Sequence, residues 1–141
     1  MQVLELIKKS FGQQIKDIKI HNQRRIYIEI APQYLRAAAD FLFNKMKMRF
    51  SIASGVDEKD YFEIVYHFSL DEEGIFFNLK VKCDREKPKV DTISDIITGA
   101  KWIEREIYEL LGIEFEGNND MRPLVLSENY KGKRFPLRKD D

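Results

Sequence analysis

Hydrophobic and polar residues alternate most cleanly between Tyr61 and Leu70, where Phe62, Ile64, Tyr66, Phe68 and Leu70 fall on one face. That period of two predicts a strand. Asp71-Glu72-Glu73-Gly74 reads as a hairpin loop, and Ile75, Phe77, Leu79, Val81 and Cys83 form the returning inward face. Upstream, Ile15–Ile20 and Arg25–Ile30 predict two short strands around His21-Asn22-Gln23-Arg24, with Ile26, Ile28 and Ile30 inward. A further strand is expected from Met48 to Ser54, with Met48, Phe50 and Ile52 on one face, broken at Gly55-Val56-Asp57.

Three segments carry helical spacing instead. Val3, Leu6, Ile7 and Phe11 share a face that Gly12 ends. Pro32 suits a first helical turn, and Leu35, Ala38, Ala39, Leu42 and Met46 follow it. In the third, Ile96, Ala100, Ile103, Ile107 and Leu110/Leu111 make an apolar stripe, with Thr92 or Ser94 as the N-cap and Asp95 in the first turn. Gly112 fits the position after its end, since glycine takes a left-handed conformation without steric cost. The outward side of this helix is expected to carry Trp102, Glu104, Glu106 and Glu109, and Lys101 and Arg105 to make surface ion pairs with these glutamates. The order α-β-β-α-β-β-β-α predicts an α+β fold: one domain, helices packed on one face of an antiparallel or mixed sheet. Residues 1–116 form that domain, and 117–141 an extended C-terminal arm.

Composition narrows the function. The chain has 141 residues, with 24 Lys plus Arg against 24 Asp plus Glu, so no global field attracts nucleic acid or an anionic membrane. Charge is separated locally. Glu104 to Glu116 holds five glutamates and one arginine; Lys131 to Asp141 holds five basic residues and two aspartates. Such separation suits an interface or one segment folding onto the other. The single cysteine, Cys83, allows no internal disulfide and no cysteine-ligated cluster, and is expected as a buried thiol on its strand. No apolar run approaches the ~20 residues of a membrane span, and the N-terminus has no apolar leader, so a soluble intracellular protein is expected.

Candidate chemistry is sparse. Glu104, Glu106 and Glu109 are acid–base candidates, but no histidine, cysteine or second carboxylate cluster lies nearby to complete a catalytic set. His21 and His67 have no metal-ligand spacing, and Gly112, Gly117 and Gly132 do not form a phosphate loop. A nucleic-acid-binding domain using the basic tail, with Tyr130 and Phe135 stacking on bases, is the alternative reading; the neutral charge and acidic helix oppose it. Protein docking explains the residues better, because arginine and aromatic side chains concentrate at interface centres. Trp102, Tyr108, Arg122, Tyr130, Phe135 and Arg138 supply that set, and Pro123 and Pro136 keep the tail extended.

Residues 102–140 resemble the signature region of the thirty-kilodalton subunit of NADH–quinone oxidoreductase (complex I), and of its relatives in membrane-bound energy-converting hydrogenases. The matching positions are Trp102, Glu104, Arg105, Glu106, Tyr108, Gly112, Ile113, Phe115, Gly117, Arg122, Leu124, Leu126, Gly132, Pro136, Leu137, Arg138, Lys139 and Asp140. Glu109 stands where that family usually has aspartate, Asn118-Asn119 replaces a His-Pro step, Pro123 replaces an arginine, and Lys133-Arg134-Phe135 lengthens the last spacing. These departures point towards a hydrogenase-type or other archaeal-type relative. The resemblance implies a subunit that is not catalytic by itself and carries no cofactor or metal. It implies a place on the cytoplasmic side of a membrane-bound oxidoreductase, reaching the membrane only through the complex. The implied partners are a large catalytic subunit of the forty-nine-kilodalton or NiFe-hydrogenase type, a small iron–sulfur subunit and other peripheral-arm subunits. The candidate interface comprises Trp102, Glu104, Arg105, Glu106, Tyr108, Arg122, Tyr130, Phe135, Pro136, Arg138, Lys139 and Asp140.

Overall fold

The computed structural model describes residues 2–118 and 135–138. The chain runs through helix α1 (Gln2–Phe11), strands β1 (Ile15–Asn22) and β2 (Arg25–Ile30), and helix α2 (Leu35–Asp40). Strands β3 (Arg49–Asp57), β4 (Tyr61–Leu70), β5 (Ile75–Asp84) and β6 (Lys89–Asp91) follow, then helix α3 (Ala100–Leu111) and strand β7 (Glu114–Glu116). Five strands form one sheet in the order β1-β2-β5-β4-β3, mixed because β2 and β5 run parallel while the other pairs are antiparallel. The fold is α+β, as the sequence predicts.

The period-two segments become the centre of the sheet. Phe62, Ile64, Tyr66 and Phe68 of β4, Phe77, Leu79 and Val81 of β5, and Ile26, Ile28 and Ile30 of β2 are all buried on one face. Burial of each large side chain stabilises by roughly 2–3 kcal/mol. Cys83 is buried on that face, and burial pushes its thiol pKa up to about 11. Ile7 and Phe11 of α1 and Ala38 and Leu42 on and after α2 pack against Ile28, Ile30 and Leu79. Ile107 and Leu111 of α3 lie over Gly55 of β3, whose sheet neighbour Ile64 also faces the core. All three helices therefore cover the same face. A Cβ at Gly55 would stand 2.8 Å from Leu111 Cδ1, so the missing side chain sets how closely α3 approaches the sheet.

Four expectations are corrected. The strand through Gly55 is unbroken to Asp57, and an irregular register between Phe50 and Ile52 flips its parity. Ala53 is buried and Ile52 exposed, the reverse of simple alternation. In α1, Leu4 rather than Leu6 completes the buried face. The helix expected from Pro32 to Met46 is composite: a 3₁₀ turn at Pro32–Tyr34, then α2, then a wider π turn at Phe41–Lys45. Finally, α3 begins at Ala100, not at Thr92 or Ser94, because residues 93–99 form consecutive turns. β6 and β7, which the sequence pattern does not announce, pair in parallel and clip the segments before and after α3 together.

The sheet face without helices is closed by its own long side chains. Lys80 reaches Glu63 at 3.5 Å, and Lys82 reaches Glu29 at 3.6 Å while lying 4.8 Å above the Tyr61 ring. His67 sits in the same ladder. Asn78 Nδ2 donates to the Ile26 carbonyl at 3.3 Å, which turns Asn78 Oδ1 towards His67 Nδ1 at 2.6 Å. On the other side of the ring, Nε2 lies 3.2 Å from the Ser54 hydroxyl oxygen. His67 serves as a cross-strand polar link.

Candidate functional site: helix α3 and its capped end

α3 has two distinct sides. Glu104, expected to face outward, is 1% exposed. Its carboxylate accepts from the Thr92 hydroxyl, from the Ile93 backbone N–H at 2.9 Å and from Asn118 Nδ2 at 3.0 Å. Thr92 is thus not the helix N-cap; it ties the turn before α3 to the middle of that helix. Arg36 of α2 clamps the same turn from the other side, with paired bonds of 2.7 and 2.8 Å to Asp95 and one of 2.5 Å to the Thr92 carbonyl. Burial raises the Glu104 pKa above the ordinary glutamate range, against the pull of its three donors. The Tyr66 hydroxyl, buried and without a hydrogen-bond partner among the described residues, is held neutral by burial and then by the nearby Glu104 charge.

Arg105 and Glu109 are also buried, so neither is the surface residue the pattern suggests. The Arg105 guanidinium stacks 4.7 Å from the Trp102 ring. Trp102 itself is 55% exposed, and Glu106, one turn on, is exposed as well. Of the residues assigned outward by pattern, these two are the ones that face solvent. The buried side of a helix is an unusual place for a glutamate; only the folded position of Thr92 and Asn118 shows why Glu104 belongs inside.

The C-terminal end of α3 is closed by the chain itself. Gly112 has φ of +80° and its N–H returns to the Tyr108 carbonyl at 2.7 Å. The Leu137 N–H then bonds the Leu110 carbonyl at 3.0 Å, and Arg138 Nε bonds the Leu111 carbonyl at 2.6 Å. Two free helix carbonyls are thereby satisfied, and a cation sits at the negative end of the helix dipole. The Arg138 guanidinium lies 5.2 Å from the Phe62 ring and 4.8 Å from Phe135, and Phe135 meets Tyr108 edge-on at 6.1 Å. Phe62 also carries the Arg85 guanidinium at 4.8 Å, and Arg85 pairs with the buried Asp57. Arg138 and Phe135, expected to reach a partner, are turned back onto their own domain, with Pro136 between them half-buried. Leu137 remains exposed beside the helix end. Arg122, Tyr130, Lys139 and Asp140 lie outside the described residues. A cavity of about 430 Å³ opens beside the cap, between Lys87-Pro88-Lys89 and the rings of Tyr108 and Phe135.

Sequence reasoning did not give Thr92, Asn118, Asp57, Arg85 or Gly55 the roles they take in the fold. Asp57 ends β3 and Arg85 follows β5, 28 residues on, and they meet across the start of β4, so no local spacing reports them. Among the described residues no group of three or more His, Cys, Asp or Glu is arranged to hold a metal ion. No helix among them is long and apolar enough to cross a membrane.

Fold and site together define a class: an α+β domain closed by a glycine-stopped helix whose Trp102 side is exposed. Residues 28–141 match the family described as "Respiratory-chain NADH dehydrogenase, 30 Kd subunit", and the chain belongs to that family. It is 29% identical to a subunit of the F(420)H(2) dehydrogenase of Methanosarcina mazei, over 98% of this chain and 89% of that one. It is 34% identical to an NADH-quinone oxidoreductase subunit of Ruegeria pomeroyi, over 80% of this chain but 58% of the relative. The corresponding protein of Chloroherpeton thalassium is 32% identical, again with 58% of its length covered. The chain therefore spans little more than half of those two NADH-quinone relatives. Among solved structures it superposes on a chain of the membrane-bound sulfane sulfur reductase, an archaeal respiratory membrane complex. That match has a TM-score of 0.77 and 27% identity, and covers 99% of this chain and 85% of that one. The trypsin-resistant fragment of Nqo5 shares the fold, with a TM-score of 0.67 at 22% identity over 85% of this chain.

Proposed function

We propose that the chain is an accessory subunit of a membrane-bound, complex I-like or energy-converting hydrogenase-like oxidoreductase, and that it docks through the exposed side of α3. In this reading it braces a large catalytic subunit and its small iron–sulfur partner on the cytoplasmic side of the membrane, while other subunits hold the electron carriers. Family membership supports the setting. So does length, since both the F(420)H(2) dehydrogenase subunit and the sulfane sulfur reductase chain are covered over more than four-fifths of their extent. The observation that carries the docking face is the division of α3. Glu104 and Arg138 are committed to holding the helix in place, whereas Trp102 and Glu106 project unburied from a helix thus fixed. A large exposed indole on a rigid helix is the kind of residue that dominates interface energy. The family match lends no support to the nucleic-acid reading.

The test is co-purification of the large subunit with a tagged full-length chain. Trp102→Ala together with Glu106→Lys is expected to weaken retention roughly 30-fold or more, the scale of losing one interface hot spot. The isolated double variant keeps its melting temperature within a few degrees, because both side chains are exposed. Undiminished retention would place the interface elsewhere.

A further inference from the structure

The two edges of the main sheet are built differently. β1, at one edge, carries Lys16, Asp17 and Lys19, charges of the kind that keep foreign strands away. β3, at the other, runs through Phe50-Ser51-Ile52-Ala53-Ser54-Gly55-Val56 without a single charge, in a chain where 34% of residues are charged. The charges that bracket this run are already engaged. Arg49 bonds Asp71 at 3.0 and 3.3 Å, and Asp57 is paired with Arg85. In an edge strand every second residue turns its N–H and C=O away from the sheet. The backbone of Phe50–Val56 has no partner beyond its ladder with β4 among the described residues. Ile52 is 50% exposed and Val56 37%, both on the face away from the helices, ready to flank side chains of an added strand.

We propose that the outer edge of β3, over Ile52–Val56, takes an extended strand from a different polypeptide of the assembly. The chemistry specifies an uncharged segment with apolar residues at alternate positions, paired by main-chain hydrogen bonds. β3 is the strand on which α3 packs, through Gly55 against Ile107 and Leu111, so this edge adjoins the proposed docking helix. The commitment to a foreign strand rests on the reading that the chain works as one subunit of an assembly. The irregular register at Phe50–Ile52 limits regular pairing to the stretch from Ile52 onward, about 17 Å of strand.

Amide-resolved hydrogen exchange on the isolated full chain and on the purified native assembly tests this. In the assembly, alternate amides of residues 52–56 are expected to slow roughly 100-fold or more, while those already bonded to β4 change little. Ile52→Lys with Val56→Lys, at exposed positions that do not threaten folding, is expected to abolish that protection. Outer amides exchanging equally in both samples would overturn the proposal even if Trp102 proved buried. Concentration-dependent dimerisation of the isolated chain, lost in the double variant, would overturn it too by assigning the edge to a second copy.

Discussion

Replacing Glu104 with alanine is expected to destabilise the isolated chain by about 3 kcal/mol, read as a fall of roughly 10 °C in melting temperature. The loss comes from what the carboxylate leaves behind. The Ile93 N–H, the Thr92 hydroxyl and the Asn118 amide all point at it, and Glu104 is 1% exposed, so water cannot simply replace it. Glu104→Gln keeps the shape but turns an amide N–H₂ towards groups that are themselves donors, and is expected to lose about half as much. The same group imposes a pH signature. Its native pKa is raised, chiefly by burial, so between the ordinary glutamate value and the native value the folded chain holds the extra proton. Stability therefore rises as pH falls through that window, relative to the Gln variant, and the advantage is gone once pH exceeds the native pKa. Parallel denaturation of wild type and Glu104→Gln across the acidic range checks the sign. An alanine variant as stable as wild type would mean that Glu104 does not hold the helix.

Gly112→Ala is expected to cost about 2–3 kcal/mol, through two effects that arrive together. Its φ of +80° is strained for any residue with a Cβ. The added Cβ would also lie 2.8 Å from Arg138 Nη2 and 2.9 Å from the Phe135 ring. Backbone strain accounts for about 1–2 kcal/mol, and displacement of the Arg138 cap for about 1 kcal/mol. Arg138→Ala should lower stability on its own, because Arg138 bonds Leu111 and stacks on Phe62. Combining the two substitutions should cost less than their sum, since the second finds the cap already lost. Thermal denaturation of the two single variants and the double measures this coupling; strict additivity would mean that Gly112 and Arg138 do not share one seat.

Elements with a strong local pattern were legible in the sequence. The β4–β5 hairpin follows from unbroken alternation around a polar loop, and the stop of α3 follows from Gly112, because both are decided within a few residues. The family was legible from the spacing of Trp102, Glu104, Arg105, Glu106 and Gly112. What failed was decided at long range. The start of α3 looked like a cap at Thr92, but Thr92 and Ile93 give their donors to Glu104, and the turn they form delays the helix to Ala100. Glu104 and Arg105 read as surface residues because charge normally predicts exposure. The parity of β3 changed through one extra residue, which no periodicity count can locate in advance. The seat of Arg138 on the end of α3 was not legible either, since the carbonyl it bonds lies 27 residues earlier.

Helix α3 is fixed from inside, and its Trp102 side is thereby proposed to meet another protein. Trp102 is the chain's single tryptophan. Hydroxyl-radical footprinting, read by mass spectrometry on that residue, reports its solvent contact in the isolated chain and in the intact membrane complex. Ready oxidation is expected in the isolated chain and strong protection in the complex. Equal oxidation in both would contradict a docking role for this helix.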